Sequence, residues 1–262
     1  MRAALPSMRV VETYLLAYKR TWKFSLTTML INPVMFLLGM GVGLGSLVDK
    51  GTSNATSSLG GVDYLTFLAP GLLAATAMQV AASESTYPIM AKIKWDRIYE
   101  AMLATPLVVR DLLIGQLSWI ALRLTQTTVI FLVVMVLFGA VESPWAVFAV
   151  PAGVLTGLAI GAPICAFSAT RTNDYALSTV LRFVVIPMFL FSGTFFPISQ
   201  LPSGIRWIAY LTPLWHGVDL CRSLALGTVD AGSAIVHVAY LAAFVAVGAY
   251  LAHKAFARRL VL

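Results

Sequence analysis

Six stretches of the chain are apolar almost without interruption: residues 24–48, 64–88, 112–138, 145–168, 176–196 and 231–253. Each is close to or above the roughly 20 residues that an α-helix needs to cross a hydrocarbon core. The runs are continuous, whereas the strands of a membrane barrel alternate apolar and polar residues over about 10 positions. The pattern predicts an all-α membrane protein with six transmembrane helices, residues 1–262 forming a single transmembrane domain.

Four connecting regions carry more than connection. Residues 10–23 place Val11, Tyr14, Leu15, Tyr18 and Trp22 on one helical face, with Arg9, Glu12, Lys19 and Lys23 mostly elsewhere. That spacing suits a helix lying in the membrane interface, so 1–23 is expected to be an N-terminal interfacial helix. The loop 49–63 is rich in Gly, Ser and Thr; its Asn54-Ala55-Thr56 matches the glycosylation acceptor pattern, which recurs by chance. The gap 89–111 mixes charges with Ile93, Trp95, Ile98, Tyr99, Met102 and Leu103, more apolar bulk than a tether needs. It reads as a short amphipathic helix offered to a soluble partner and ended or bent by Pro106. Residues 195–230 are semi-polar, aromatic and interrupted by Pro197, Pro202 and Pro213, giving pieces too short to span. They fit short external re-entrant or surface helices, whose backbone must be buried in protein or wetted.

Composition supports a membrane setting and orients it. Of 262 residues 59% are hydrophobic and 11% charged, against roughly 25% charged in soluble domains. The net charge of +7 does not point to nucleic acid, because the basic residues sit in short gaps between apolar runs rather than on a polar face. Thirteen of them, including Arg9, Lys92, Lys94, Arg97, Arg171, Lys254, Arg258 and Arg259, fall on one side of the predicted topology. Only Lys50, Arg206 and Arg222 fall on the other. By the positive-inside rule the richer side, with both termini, is cytoplasmic.

Catalytic chemistry is not apparent. No Gly-rich loop ending in Gly-Lys-Ser/Thr exists to cradle a nucleotide, and Gly39, Gly41, Gly43 and Gly45 lie in an apolar helix where close packing explains them. The Gly39/Gly43 spacing lets helices approach, which makes these two residues candidates for a dimer interface. His216, His237 and His253 lie in different segments at no ligand spacing, and no metal site is expected. Cys165 and Cys221 are not expected to pair. Glu84, Arg123 and Arg182 are the ionisable groups within apolar runs; Glu84 and Arg123 could form a buried pair joining two helices. An ion-driven transporter would show inverted repeats, and a membrane enzyme a polar cluster at one bilayer face; neither is evident.

The chain also resembles a known family. The stretch Phe191-Ser192-Gly193-Thr194, then Phe196-Pro197, Leu201-Pro202 and Pro213-Leu214-Trp215-His216 followed by Arg222, is similar to the type-2 export permeases of ATP-binding-cassette transporters. YLTFLAPGLLAATAM at 64–78, with Trp95-Asp96-Arg97 and Ala104-Thr105-Pro106-Leu107, adds to the likeness. NodJ-like permeases are the nearest group, with DrrB-type drug permeases and polysaccharide-export permeases as relatives. Thr194 and Phe191 depart mildly from the pattern, which has a smaller and an aliphatic residue there. The resemblance implies a bacterial inner-membrane permease without enzymatic activity. It would pair with a second permease subunit and with separate ATPase subunits that bind the ATP and Mg. Lys94, Trp95, Asp96, Arg97 and Glu100 would form the coupling segment docking on the ATPase, and spans one and five the dimer interface. The implied cargo is a lipid-linked oligosaccharide, a glycolipid or a hydrophobic drug.

Overall fold

The computed structural model describes residues 6–46 and 61–260, and among these there is no strand. The helices are α1 (Pro6–Phe36), α2 (Tyr64–Glu84), α3 (Tyr87–Met90), α4 (Ile98–Leu103), α5 (Val109–Leu137), α6 (Ala149–Thr170), α7 (Tyr175–Val180), α8 (Ile186–Phe191), α9 (Ser203–Tyr210), α10 (Pro213–Leu226) and α11 (Ala231–Leu260). Wider π-helical turns extend α1 through Leu37–Leu44 and α3 through Ala91–Trp95, and Leu181–Val185 joins α7 to α8. The protein is an all-α membrane protein. Among the described residues five helical runs are long and apolar enough to cross a bilayer: Pro6–Leu44, Tyr64–Trp95, Val109–Leu137, Pro144–Thr170 and Ala231–Leu260. The expected span at 176–196 is a shorter apolar helix, Tyr175–Phe191. Helical hydrogen bonding stops there because the chain turns at Gly193, whose φ of 82° lies in the left-handed region.

Residues 10–23 are helical, and that helix does not stop at residue 23 but runs on unbroken into the first apolar stretch. Nothing between Val10 and Phe36 breaks a helix except Pro33, which is accommodated inside it. The buried face is also offset by a residue. Val10 and Tyr14 are buried and Tyr18 half-buried, whereas Leu15 and Trp22 are exposed. The reason is α5: a Cβ added at Gly115 would collide with Val10, and Tyr14 and Tyr18 set their rings 5.7 and 5.6 Å from Trp119. The 49–60 part of the expected loop, with Asn54, lies outside the described residues.

The core is built on close approach, the main resource for helix association where lipid is as apolar as the helices. α2 is almost wholly buried, and α6 packs against it through Gly153, Gly157 and Gly161, four residues apart. A Cβ on Gly157 would lie 2.7 Å from Leu124 Cδ1 of α5 and 3.1 Å from the Ala77 carbonyl of α2. Another on Gly248 of α11 would run into Pro163 of α6.

Pro197, Pro202 and Pro213 act as helix starters. Pro197 and Pro202 precede short helical turns, and Pro213 opens α10, where the missing N–H costs nothing. Thr212 caps α10 by accepting from the Trp215 N–H at 3.3 Å. α10 does not span; its Leu214, Val218, Cys221 and Leu224 are buried against the bundle. Cys165 and Cys221 are both buried and free.

Candidate functional site: a charged platform, a polar junction and an opposing clasp

The segment 89–111 is two short helical pieces around a sharp joint. Arg97 has φ 49°, the one left-handed non-glycine among the described residues, a conformation costing about 1–2 kcal/mol for an L-residue. The joint projects Trp95, 58% exposed, together with exposed Lys94, Asp96, Arg97 and Glu100. Lys94 Nζ donates to the Thr172 carbonyl at 3.0 Å, and Arg97 faces Glu100 at 3.9 Å. The five residues thus form one exposed surface around a bare indole.

Its rear is fixed inside the bundle. Tyr99 is fully buried, stacks obliquely on Phe256 of α11 at 5.6 Å, and donates to Gln116 Oε1 of α5 at 2.9 Å. Burial raises the Tyr99 hydroxyl well above its ordinary range, so it stays a donor. Lys92 Nζ donates to the same Gln116 oxygen at 3.0 Å and sits 3.8 Å over the Tyr14 ring of α1. One turn further along α5, Trp119 Nε1 donates to Glu84 Oε2 at 3.3 Å and Arg123 Nε to Glu84 Oε1 at 3.2 Å. The Arg123 guanidinium lies 5.0 Å from the Tyr18 ring. Glu84 and Arg123, the two charges read as a possible pair, therefore meet. They belong to a larger junction in which Gln116, Trp119 and Arg123 form a polar stripe on α5 touching α1, α2, α3 and α4. The spacing of three and four along an otherwise apolar run is the sequence signal for that stripe; Tyr99 and Lys92 gave none beyond their side-chain type.

At the opposite end of the bundle Arg222 is the organising group. Its Nε donates to the Phe67 carbonyl of α2 at 3.1 Å, and Nη2 donates to the carbonyls of Gly193 at 2.8 Å and Thr194 at 3.4 Å. The guanidinium also lies 3.8 Å over the Phe67 ring. Burial lowers its pKa to about 10, with Asp219 opposing the shift, so it remains charged at neutral pH. Arg222 thus clasps α2, the Gly193 turn and α10. Pro197 and Pro202 bound the loop beside it, where Arg206 Nη2 donates to the Ser199 and Leu201 carbonyls at 2.6 and 2.9 Å. His216 and His237, remote in sequence, meet here: their Nδ1 atoms are 2.8 Å apart, and His237 Nε2 is 3.1 Å from Asp219 Oδ2. If His216 donates through Nδ1 and His237 through Nε2, both contacts are satisfied by two neutral rings. Burial and the neighbouring His237 lower the His216 pKa to about 4. No group of three or more His, Cys, Asp or Glu suited to a metal occurs among the described residues.

Gly39 and Gly43 lie on the exposed side of the α1 run. A Cβ on Gly39 would meet nothing, and one on Gly43 only the Leu38 carbonyl of its own helix at 3.4 Å. They take no part in packing within the chain, in contrast to Gly41, which receives Leu65.

Comparison with known proteins places this geometry. A model of the ABC-2 type transporter family matches residues 9–226, from the first turn of α1 to the end of α10. Nodulation protein J of Rhizobium meliloti (strain 1021) is 29% identical over 98% of this chain and 97% of its own length. Nodulation protein J of Rhizobium leguminosarum bv. viciae is 31% identical over 93% and 90%, and that of Neorhizobium galegae 31% over 86% and 84%. With its apolar helices, platform and clasp all inside the matched region or its near-full-length relatives, the chain belongs to the ABC-2 type transporter family.

Proposed function

We propose that the chain is the membrane subunit of an ATP-driven exporter, working as two permease chains with two ATPase chains, and that it moves an amphipathic cargo by alternating access. The observation carrying this reading is the platform of Lys94, Trp95, Asp96, Arg97 and Glu100. An exposed indole ringed by charges on a joint held from behind suits a protein partner, because aromatic anchors supply contact area and rim charges set register. A shift of the platform pulls on Tyr99 and Lys92, which share one oxygen of Gln116 in α5, and on Tyr14 of α1. It therefore reaches the long helices without passing through a flexible tether.

The basic end is assigned to the cytoplasm of a bacterial cell, with both termini there and the membrane its inner membrane. ATP and Mg are assigned to the partner. The exposed, open Gly39/Gly43 face is assigned to the second permease subunit. The nearer resemblance to NodJ-like permeases favours a lipid-linked oligosaccharide or glycolipid as cargo over a hydrophobic drug.

The test replaces Trp95 by Ala and Arg97 by Glu together and measures membrane expression, ATPase association and export of the glycolipid. Loss of the anchor is expected to cost about 2 kcal/mol or more, roughly 30-fold in affinity. Export should fall with normal expression. Normal association and export in a well-expressed variant would remove the platform from the coupling path.

A further inference from the structure

The basic end carries a second feature that the coupling reading does not use. Between the C-terminal ends of α6 and α11 lies an open groove of about 710 Å³, within the range of small-ligand sites. Its floor is apolar: Pro163, Ala166, Phe167 and Leu251. Its mouth is cationic, formed by Lys254, Arg258 and Arg259, and the Arg171 guanidinium sits 4.4 Å from the Phe167 ring. Among the described residues no acidic side chain lines the groove, and none of these four cations is in an ion pair.

The helix ends do not account for that charge. Each C-terminus presents about half a negative charge, so two together offset about one of the four cations. The remaining positive charge stands at the mouth of an apolar trough, where the two helices that form it leave the membrane. The complementary molecule has an anionic head and an acyl body.

We propose that this groove seats an anionic phospholipid, its phosphate among Lys254, Arg258 and Arg259 and one acyl chain along Phe167 and Leu251. The lipid wedges the C-terminal ends of α6 and α11, beside Phe256, which packs on Tyr99 behind the platform. The proposal needs neither the cargo nor the ATPase partner to be as inferred above.

The experiment uses the full chain purified in mild detergent, stripped of lipid and given phosphatidylglycerol, phosphatidylcholine or glycerol 3-phosphate. Native mass spectrometry counts retained lipids and thermal denaturation reads stabilisation. Phosphatidylglycerol should be retained at one per chain and raise the midpoint, while phosphatidylcholine and glycerol 3-phosphate should not. Lys254→Gln/Arg258→Gln/Arg259→Gln should weaken retention by about 100-fold, from roughly fivefold per basic group near an anionic surface. Leu251→Trp, which fills the exposed trough and leaves every charge in place, should displace the lipid as well. Retention unchanged in both variants overturns the proposal. So does equal stabilisation by glycerol 3-phosphate, which marks a free-anion site. Loss of ATPase association in the triple variant with lipid retention intact makes the groove a protein contact and also overturns it.

Discussion

The Glu84–Arg123 pair offers the most quantitative test of the junction. Glu84 accepts from both Arg123 Nε and Trp119 Nε1, and the Arg123 and Glu84 side chains are 14% and 20% exposed. Removing one partner of a fully buried pair costs about 3–5 kcal/mol, because the other charge is stranded. The residual exposure here lets water relieve part of that, which brings the expectation for Glu84→Leu or Arg123→Met to about 2–3 kcal/mol. For a chain of this size each kcal/mol moves the midpoint by roughly 2–4 °C, so either single variant should lose about 4–12 °C in a detergent melt. The double variant leaves no stranded charge, and replacing both members of a buried pair by apolar groups is often close to neutral. Its loss should therefore be well below the sum of the singles, by at least about 1.5 kcal/mol. A Glu84→Leu midpoint within about 1 °C of the parent, or strict additivity in the double variant, refutes the reasoning: the two side chains would then be independent and the junction would not hold α2 to α5 through them.

Three further outcomes follow from the packing and the titrating groups. The folded state keeps His216 neutral, with its pKa lowered from 6.5 to about 4, so the unfolded chain binds more protons between those values. Stability contributed by this site should be complete above pH 6.5 and decline as pH falls toward 4, and His216→Gln should flatten that part of a midpoint-against-pH curve. Gly157→Val should sharply lower the melting midpoint, because its Cβ alone would press on Leu124 and Ala77. Gly39→Leu/Gly43→Leu should leave the melting of the single chain within about 2 °C while reducing permease self-association on gel filtration.

How much of this was legible in the sequence depends on whether a feature is local. The apolar runs and the short, proline-bounded pieces of 195–230 read directly, because run length and the missing N–H of proline act within one segment. Glu84 and Arg123 could be paired on paper because opposite charges at depth have few other partners. The continuity of α1 was hidden by Lys19, Arg20 and Lys23, which look like the end of a helix yet break nothing. The face read from the sequence merged two adjacent stripes, Tyr14/Tyr18 and Val11/Leu15/Trp22, and only Gly115 and Trp119 of α5 select Val10, Tyr14 and Tyr18. The Gly153/Gly157/Gly161 stripe has the same spacing as Gly39/Gly43. Spacing says that a helix can be approached closely, and not whether the visitor belongs to the same chain. The His216–His237 contact joins residues 21 apart across a turn, and no periodicity reports it.

The unbroken run from Pro6 to Leu44 also sets a rule for how this chain can vary in length. One end is keyed to α5 through Val10 and Tyr14, and the other to α2 through Gly41 and Leu65. In a helix of 3.6 residues per turn, each inserted or deleted residue between those keys turns one relative to the other by about 100° and shifts it by about 1.5 Å. A single added alanine near Leu26, harmless in a loop, would point Tyr14 or Gly41 into lipid. The interval from Tyr14 to Gly41 is thus a fixed angular phase as well as a length: point substitutions on its exposed faces are open to it, and changes in residue number are not.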